Sequence, residues 1–148
     1  MEEAKKTLRE LFSKQSLGVL ASVGEVYPRT NLVAFVVFDD LKKMLFATPR
    51  FTRKYCNVKK NPQVSVLVDN RSNDVADFTD AVAVSVFGDA VEVIEDRQKY
   101  LDIYLAKHPY LDKFVASPTC VFFEIQVKYY DIISRFQNVR ILEMENKE

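Results

Sequence analysis

The chain has 148 residues, with 21 Lys and Arg against 21 Asp and Glu, and 48% of its residues are apolar. One domain is the default at this length, and the apolar fraction is too high for a disordered chain. The longest apolar run, Leu32 to Phe38, is far shorter than the ~20 residues that a membrane-spanning helix needs, and no apolar secretory signal follows Met1. We therefore expect a cytoplasmic protein without a membrane partner.

The scarcity of three residue types excludes several kinds of site. Glycine occurs only at positions 18, 24 and 88, so neither G-x-G-x-x-G nor G-x-x-x-x-G-K-[ST] can be written in this sequence. One His, with Cys only at 56 and 120, cannot supply a Cys/His zinc site, and we expect no metal. The single histidine, His108, precedes a proline, and we expect an ordinary surface or helix-end residue there rather than a catalytic base.

The predicted elements begin with an amphipathic helix over residues 2–15, in which Ala4, Leu8, Leu11 and Phe12 share one face. The pattern then changes to a β-hairpin with strands at 17–23 and 27–38 around a turn at Gly24. The later predictions are strands at 44–48, 63–68, 81–93, 119–134 and 138–144, helices at 52–60 and 96–107, the latter capped by Asp96, and a polar loop at 69–80.

Consecutive strands with short turns and few helices favour an antiparallel sheet closed into a small barrel. The predicted fold class is therefore mainly β with flanking helices. We find no internal repeat and no Pro/Gly-rich linker, which predicts one domain over residues 1–148. Within it, residues 1–16 form an N-terminal helix and residues 17–144 a barrel with inserted helices.

The balanced total charge conceals an uneven distribution. Residues 41–68 hold seven bases and no acid, whereas residues 69–118 hold ten acids against five bases. A helix that begins near Thr52 would present unpaired first-turn amides and the positive end of its dipole beside Arg53 and Lys54. This arrangement predicts a site for a phosphate monoester. A nucleic-acid-binding surface over residues 50–60 is disfavoured because the total charge is zero.

A structural interpretation of the same segment stays open on spacing alone. Thr52 could serve only as a helix N-cap. The cations could be only the solvated face of a helix whose other side is Phe51, Tyr55 and Val58.

Five segments of the chain carry a family resemblance in their order and spacing. They are Gly18-Val-Leu-Ala-Ser22, Pro28-Arg-Thr-Asn-Leu-Val-Ala-Phe35, Leu45-Phe-Ala-Thr48, Thr52-Arg-Lys54 and Asn61-Pro-Gln-Val-Ser-Val-Leu-Val68. Together they resemble the FMN-binding split-barrel family that includes pyridoxamine 5′-phosphate oxidase. The resemblance covers residues 10–95 well and implies a six-stranded antiparallel Greek-key barrel. It also implies a homodimer that holds FMN at the subunit interface.

The resemblance further implies which residues contact the cofactor. The positions that match the family's phosphate-binding residues are Thr52, Arg53 and Lys54. The positions that match a strand along the flavin and ribityl chain, or backbone contacts to the ring or phosphate, are Arg29, Thr30, Asn31, Leu32, Ala47 and Thr48. Candidates with a weaker match, at the ends of later strands, are Asn70, Arg71, Arg135, Phe136 and Gln137.

Departures from the named oxidase put its substrate in doubt. Ala34 stands where the oxidase has a Lys for the substrate phosphate, and residues 138–148 contain no His for its C-terminal Arg-x-His motif. We expect an FMN-dependent oxidoreductase that exchanges electrons with a small molecule, with vitamin B6 oxidation doubtful and no catalytic side chain identified. The alternative is a non-catalytic flavin carrier or redox sensor. A deazaflavin or a heme on the same barrel is a further option, and heme is disfavoured by the position of His108.

Overall fold

The computed structural model describes residues 1–144, so residues 145–148 of the predicted domain lie outside the described part. The strands are β1 Leu17–Val23, β2 Pro28–Val37, β3 Lys43–Pro49, β4 Gln63–Asp69, β5 Val82–Glu92, β6 Cys120–Ser134 and β7 Asn138–Glu143. The helices are α1 Glu2–Lys14, α2 Arg53–Lys60, α3 Asp77–Asp80, α4 Arg97–Lys107 and α5 Asp112–Ala116, with a 3-10 turn at Pro109–Leu111.

All strand pairings are antiparallel, in the order β3-β2-β1-β4-β5-β6-β7, and β3 also pairs with β6. The β3–β6 pairing closes the first six strands into a barrel, and β7 extends the sheet beyond β6. The predicted mainly β, six-stranded antiparallel barrel is therefore confirmed, with a seventh strand added.

Two short helical segments were not predicted. α3 lies within the predicted polar loop, where the Asp77 carboxylate accepts hydrogen bonds from the amides of Ser72 and Asn73 at 2.7–3.0 Å. α5 buries only Val115. Neither segment has the apolar periodicity on which helix prediction depends. The expected Asp96 cap is wrong, because Asp96 has a left-handed backbone (φ 58°) and its side chain makes no capping hydrogen bond.

The core is divided between the barrel interior and the contact with α4. α1 buries the four predicted residues, and Phe12 packs against Phe35 and Tyr130 with ring centroids 5.9 Å apart in each case. A second apolar cluster lies under α4 and includes Tyr104 and Phe122. α1 therefore covers the barrel interior, while α4 covers part of its outside.

β2 and β3 separate along their length, which leaves an opening in the wall of the barrel. β2 pairs with β1 from Pro28 to Ala34, but it pairs with β3 only at residues 35–37. β3 instead stays paired with β6 through Pro49. α2 packs Tyr55 and Val58 on the core beside this opening. The N-terminus of α2 therefore lies next to the unpaired edge of β2.

The apolar run Leu32 to Phe38 is only partly buried. Val33 and Phe35 are core residues, whereas Leu32 is 67% exposed. Side chains alternate between the two faces of a strand, so Leu32 points away from the barrel interior that Val33 faces.

His108 stands at the C-terminal end of α4, as expected of a helix-end residue, and it is buried there at 6% exposure. Its Nε2 lies 2.7 Å from the Phe35 carbonyl oxygen, and its ring packs against Tyr104. Among residues 1–144, no helix is long and apolar enough to cross a membrane.

Burial of His108 predicts a pH-dependent contribution to stability. Desolvation lowers its pKa below the ordinary 6.5, so the unfolded chain takes up a proton that the folded chain excludes. The contribution of the neutral, buried His108 side chain to the free energy of unfolding is present above pH 6.5 and is lost as the pH falls below that value. Between pH 7.5 and pH 5, the melting temperature should therefore fall further for the wild type than for His108→Gln. Equal falls in the two proteins would contradict this account.

Candidate functional site

An open cleft of about 300 Å³ lies where β2 separates from β3, at the N-terminus of α2. We call it the α2 cleft. Six sequence-predicted site residues line it together with one residue that was not predicted, Asn57. The six predicted residues are Arg29, Thr30, Asn31, Thr52, Arg53 and Lys54.

The β2 side of the α2 cleft offers free backbone groups. The amide of Phe35 donates to the carbonyl oxygen of Ser16, next to β1. Alternate residues of an antiparallel strand direct their N–H and C=O groups to opposite sides. Thr30 and Leu32 therefore direct theirs away from β1, on the side where β3 is absent. A ligand in the cleft can form strand-like hydrogen bonds with this edge.

Thr52 is the N-cap of α2. Its Oγ1 accepts a hydrogen bond from the Tyr55 amide at 3.1 Å and donates one to the Pro49 carbonyl oxygen at 3.0 Å. Thr52 is therefore a helix N-cap, as the structural interpretation of this segment holds. This role does not conflict with a phosphate site at the same end of α2. The amides of Arg53 and Lys54 have no acceptor within the helix, so they are free to bind an anion at its positive end.

Thr48 and Ala47 lie behind the cleft rather than in its lining. The Thr48 side chain is fully buried, and its Oγ1 lies 3.2 Å from the Oγ1 of Thr52. The Ala47 side chain packs in the cluster under α4. The Thr48 side chain supports the start of α2. Only the backbone of Ala47 and Thr48 could meet the cofactor as the resemblance implies.

The carboxylate of Glu92, on β5, compensates part of the positive charge around α2. This carboxylate lies 3.8 Å from Nη2 of Arg50 and 3.5 Å from Nζ of Lys59, and it accepts a hydrogen bond from the Tyr55 hydroxyl at 2.8 Å. This hydrogen bond is the main reason that the pKa of Tyr55 is raised. Glu92 thereby holds α2 against β5 and neutralises cations outside the cleft.

The cations inside the cleft keep their charge uncompensated. Within the described chain, Arg29, Arg53 and Lys54 form no ion pair. Partial burial of Lys54 lowers its pKa, because desolvation disfavours the ammonium form. An anion in the cleft would reverse that shift. Three cationic residues that line one cleft, with no acid in its lining, indicate a site for a ligand with more than one negative charge.

Asn57 adds an unsatisfied donor to the same cleft. Its Nδ2 is buried and has no hydrogen-bond partner in the described part of the chain. A buried donor without an acceptor is costly unless a ligand supplies one. Asn57 follows Arg53 by four residues, which places both on one face of α2. That spacing is the sequence signal that could have identified it.

Two weaker candidates lie away from the cleft. The Asn70 side chain accepts a hydrogen bond from the Val82 amide at 2.7 Å, and Arg71 pairs with Asp69 at 2.9 Å. The register places Asn70 six residues along the sheet from Arg29. At ~3.3 Å per residue, this separation is about 20 Å. In one chain, Asn70 and Arg71 therefore do not join the α2 cleft.

The other weak candidates lie in the β6–β7 turn. Arg135 and Phe136 have left-handed backbones, and Phe136 packs on Phe78 of α3 with ring centroids 5.4 Å apart. Ser134, just before this turn, pairs with Val82. Arg135 and Gln137 consequently lie at the same end of the sheet as Asn70, also apart from the cleft.

Comparison with known proteins identifies the family. The family model described as pyridoxamine 5′-phosphate oxidase matches residues 4–133. The chain belongs to this family, and the resemblance drawn from its sequence motifs is confirmed. A search of curated proteins gave no match.

Solved structures share the fold at low sequence identity. A heme binding protein from Mycobacterium smegmatis is 12% identical with a TM-score of 0.81, over 95% of this chain and 57% of that one. General Stress Protein 26 from Bacillus anthracis is 19% identical with a TM-score of 0.71, over 96% and 99%. A FAD-binding protein from Mesorhizobium loti is 18% identical with a TM-score of 0.67, over 84% and 88%.

Because Nδ2 of Asn57 has no hydrogen-bond partner among the described residues, we expect its removal to weaken anion binding without lowering the stability of the free protein. Asn57→Ala should weaken binding of inorganic phosphate about tenfold, because it removes a hydrogen-bond donor to a charged group. The melting temperature of the free protein should stay the same or rise, because the buried donor is gone. Calorimetry measures both. Cys56→Ala, an exposed neighbour on α2, is the matched control and should change neither. Unchanged phosphate affinity in Asn57→Ala would contradict the site.

Proposed function

We propose that the protein is an FMN-dependent oxidoreductase whose α2 cleft binds the FMN phosphate. The observation that carries the proposal is the set of unpaired cations and free amides at the start of α2, in a chain of the pyridoxamine 5′-phosphate oxidase family. The Mesorhizobium loti relative that binds FAD adds support for a flavin. The absence of acids from the cleft lining favours a phosphate over a neutral ligand.

The residues of the α2 cleft would contribute to FMN binding through different chemical groups. Arg29 and Arg53 offer planar guanidinium groups that suit two phosphate oxygens, and Lys54 adds a point charge. Asn57 adds one donor, and the β2 edge at Thr30 and Leu32 offers backbone groups to the rest of the cofactor. When bound, FMN supplies the electron or hydride transfer, while this chain binds and orients it.

We also propose that the protein is a homodimer whose interface completes the site. A row of opposed residues crosses the outer face of the sheet, from Leu32 through Val19 and Leu67 to Asp131 and Ile141. Leu32, Leu67 and Ile141 are 67%, 37% and 58% exposed, and Oδ1 of Asp131 is buried without a hydrogen-bond partner among the described residues 1–144. A second copy would cover this row. It could also bring the weak candidates, Asn70, Arg71, Arg135 and Gln137, to the neighbouring cleft.

A flavin carrier or sensor is the second candidate function. It is favoured by Ala34, which stands where the named oxidase has a Lys for the substrate phosphate, so that this position carries no cation. The Ala34 carbonyl oxygen accepts a hydrogen bond from the Tyr104 hydroxyl. Stopped-flow mixing with NADH or NADPH, followed by quinones or nitroaromatics, separates the two functions. Rapid reduction and reoxidation supports the oxidoreductase, whereas bound FMN that does not turn over supports the carrier.

Heme has less support in this chain. His108 is the only imidazole, it is buried with Nε2 at the Phe35 carbonyl oxygen, and it does not line the α2 cleft. Mass spectrometry of what the purified protein releases on denaturation distinguishes FMN from a deazaflavin or a heme.

The proposed cleft predicts the effect of removing its cations. Arg53→Ala with Lys54→Ala should weaken FMN binding at least about a hundredfold, because two charge-assisted contacts are lost. The fold should persist, since neither residue belongs to the core. The matched control, Lys59→Ala with Lys60→Ala, removes two cations from the other end of α2 and should retain affinity. FMN fluorescence titration measures both. Equal FMN affinity in the two double variants would contradict the proposed site and indicate that Arg53 and Lys54 belong only to a solvated helix face.

The proposed dimer predicts the effect of a charge on the outer row. Leu67→Glu should shift the protein from dimer to monomer in sedimentation analysis, because burying an unpaired carboxylate is costly. FMN affinity should fall with it. Ile94→Glu places the same charge on an exposed residue between β5 and α4, away from the row, and should leave the dimer intact. A monomeric wild type would contradict this part of the proposal.

A further inference from the structure

A second pocket, of about 390 Å³, lies between α1, the β2–β3 turn and the end of α4. It is separate from the α2 cleft and shares no lining residue with it. Phe12, Phe38 and Leu41 contribute apolar surface to its walls, and Arg9 and Lys107 contribute positive charge. We call it the Lys107 pocket. Its volume falls within the ~300–1,000 Å³ that small-molecule sites occupy.

Lys107 is a desolvated cation whose ammonium group has unused hydrogen-bond donors. Its Nζ donates to the Phe12 carbonyl oxygen at 2.8 Å and lies 3.9 Å from the centre of the Phe35 ring. It pairs with no carboxylate in residues 1–144. Burial lowers its pKa to about 8. An ammonium has three donors, so two are not used by the carbonyl contact.

Arg9 provides a second cation on the wall of the pocket. Its Nε and Nη2 both donate to the Asp39 carbonyl oxygen at 3.2 Å, which fixes the guanidinium in place and leaves further N–H groups free. The exposed Asp39 is the one acid among the lining residues, so the lining carries a net positive charge of about one.

We propose that the Lys107 pocket binds a small organic anion with an apolar body, such as a medium-chain carboxylate. The carboxylate would meet Lys107 and Arg9, and the chain would lie against Phe12, Phe38 and Leu41. Apolar walls with a few convergent polar groups are the usual composition of a small-molecule site. The bound anion would supply the counter-charge that residues 1–144 do not give Lys107. This inference is independent of the proposed FMN function.

Calorimetry with octanoate, and with octanol as the uncharged probe of equal chain length, tests the charge. Octanoate should bind with one site per chain and at least about tenfold more tightly than octanol. Lys107→Met should remove that preference, and Arg9→Gln should reduce it. Lys113→Met, an exposed lysine on α5, is the control and should bind like the wild type. Equal binding of octanol and octanoate, or no binding of octanoate, would overturn the proposal.

A measurement on the wild type keeps the test valid if Lys107→Met does not fold. Octanoate should slow acetylation of Lys107 at least about tenfold, as read by peptide mass spectrometry, and leave Lys113 unchanged. No protection of Lys107 would overturn the proposal. The Arg53→Ala, Lys54→Ala variant should still bind octanoate, and FMN should not displace it. The two proposals can therefore fail separately, whereas displacement by FMN would overturn this one.

Discussion

β2 and β3 pair at only three positions, and the open edge that this leaves on β2 determines where the neighbouring elements lie. A barrel whose strands were paired along their whole length would use the N–H and C=O groups of β2 on both sides. Here β3 leaves β2 after three pairs and continues along β6. Residues 28–34 of β2 therefore keep an unpaired edge on the side away from β1. An unpaired edge invites a further partner. α2 fills the opening with its apolar face and presents its N-terminus to that edge.

The charges around α2 follow from the same geometry. Glu92 on β5 lies near enough to α2 to pair with Arg50 and Lys59, and it fixes the helix through Tyr55. It pairs with neither Arg53 nor Lys54, which line the cleft with Arg29. A folded chain that leaves cations and an amide donor unpaired gives up stability that a bound anion can restore. The fold and the proposed cofactor are thus linked by one set of unsatisfied groups.

The sequence predicts the parts of this arrangement that depend on neighbouring residues. Alternation and helical periodicity locate the seven strands and the three longer helices, and the N-cap at Thr52 is local chemistry. The grouping of β2 residues 29–31 with α2 came from the family resemblance, since their contact joins segments about twenty residues apart.

Other features could not be predicted because they depend on distant pairing. The Glu92 network joins β5 to α2, the burial of His108 depends on its contact with β2, and the exposure of Leu32 depends on how the strands separate. α3 depends on the hydrogen bonds of Asp77 rather than on an apolar pattern. Asn57 is the exception, since its spacing from Arg53 was readable and only its orphaned donor required the structure.

The free edge of β2 and the start of α2 form one binding site in the proposed function. Amide chemical-shift mapping during an FMN titration of the isotopically labelled protein tests this directly. We expect the largest chemical-shift changes to fall together on Thr30, Leu32, Arg53 and Lys54, while the amides of the residues that line the Lys107 pocket keep their chemical shifts. Shifts confined to other elements, with those four amides unmoved, would contradict it.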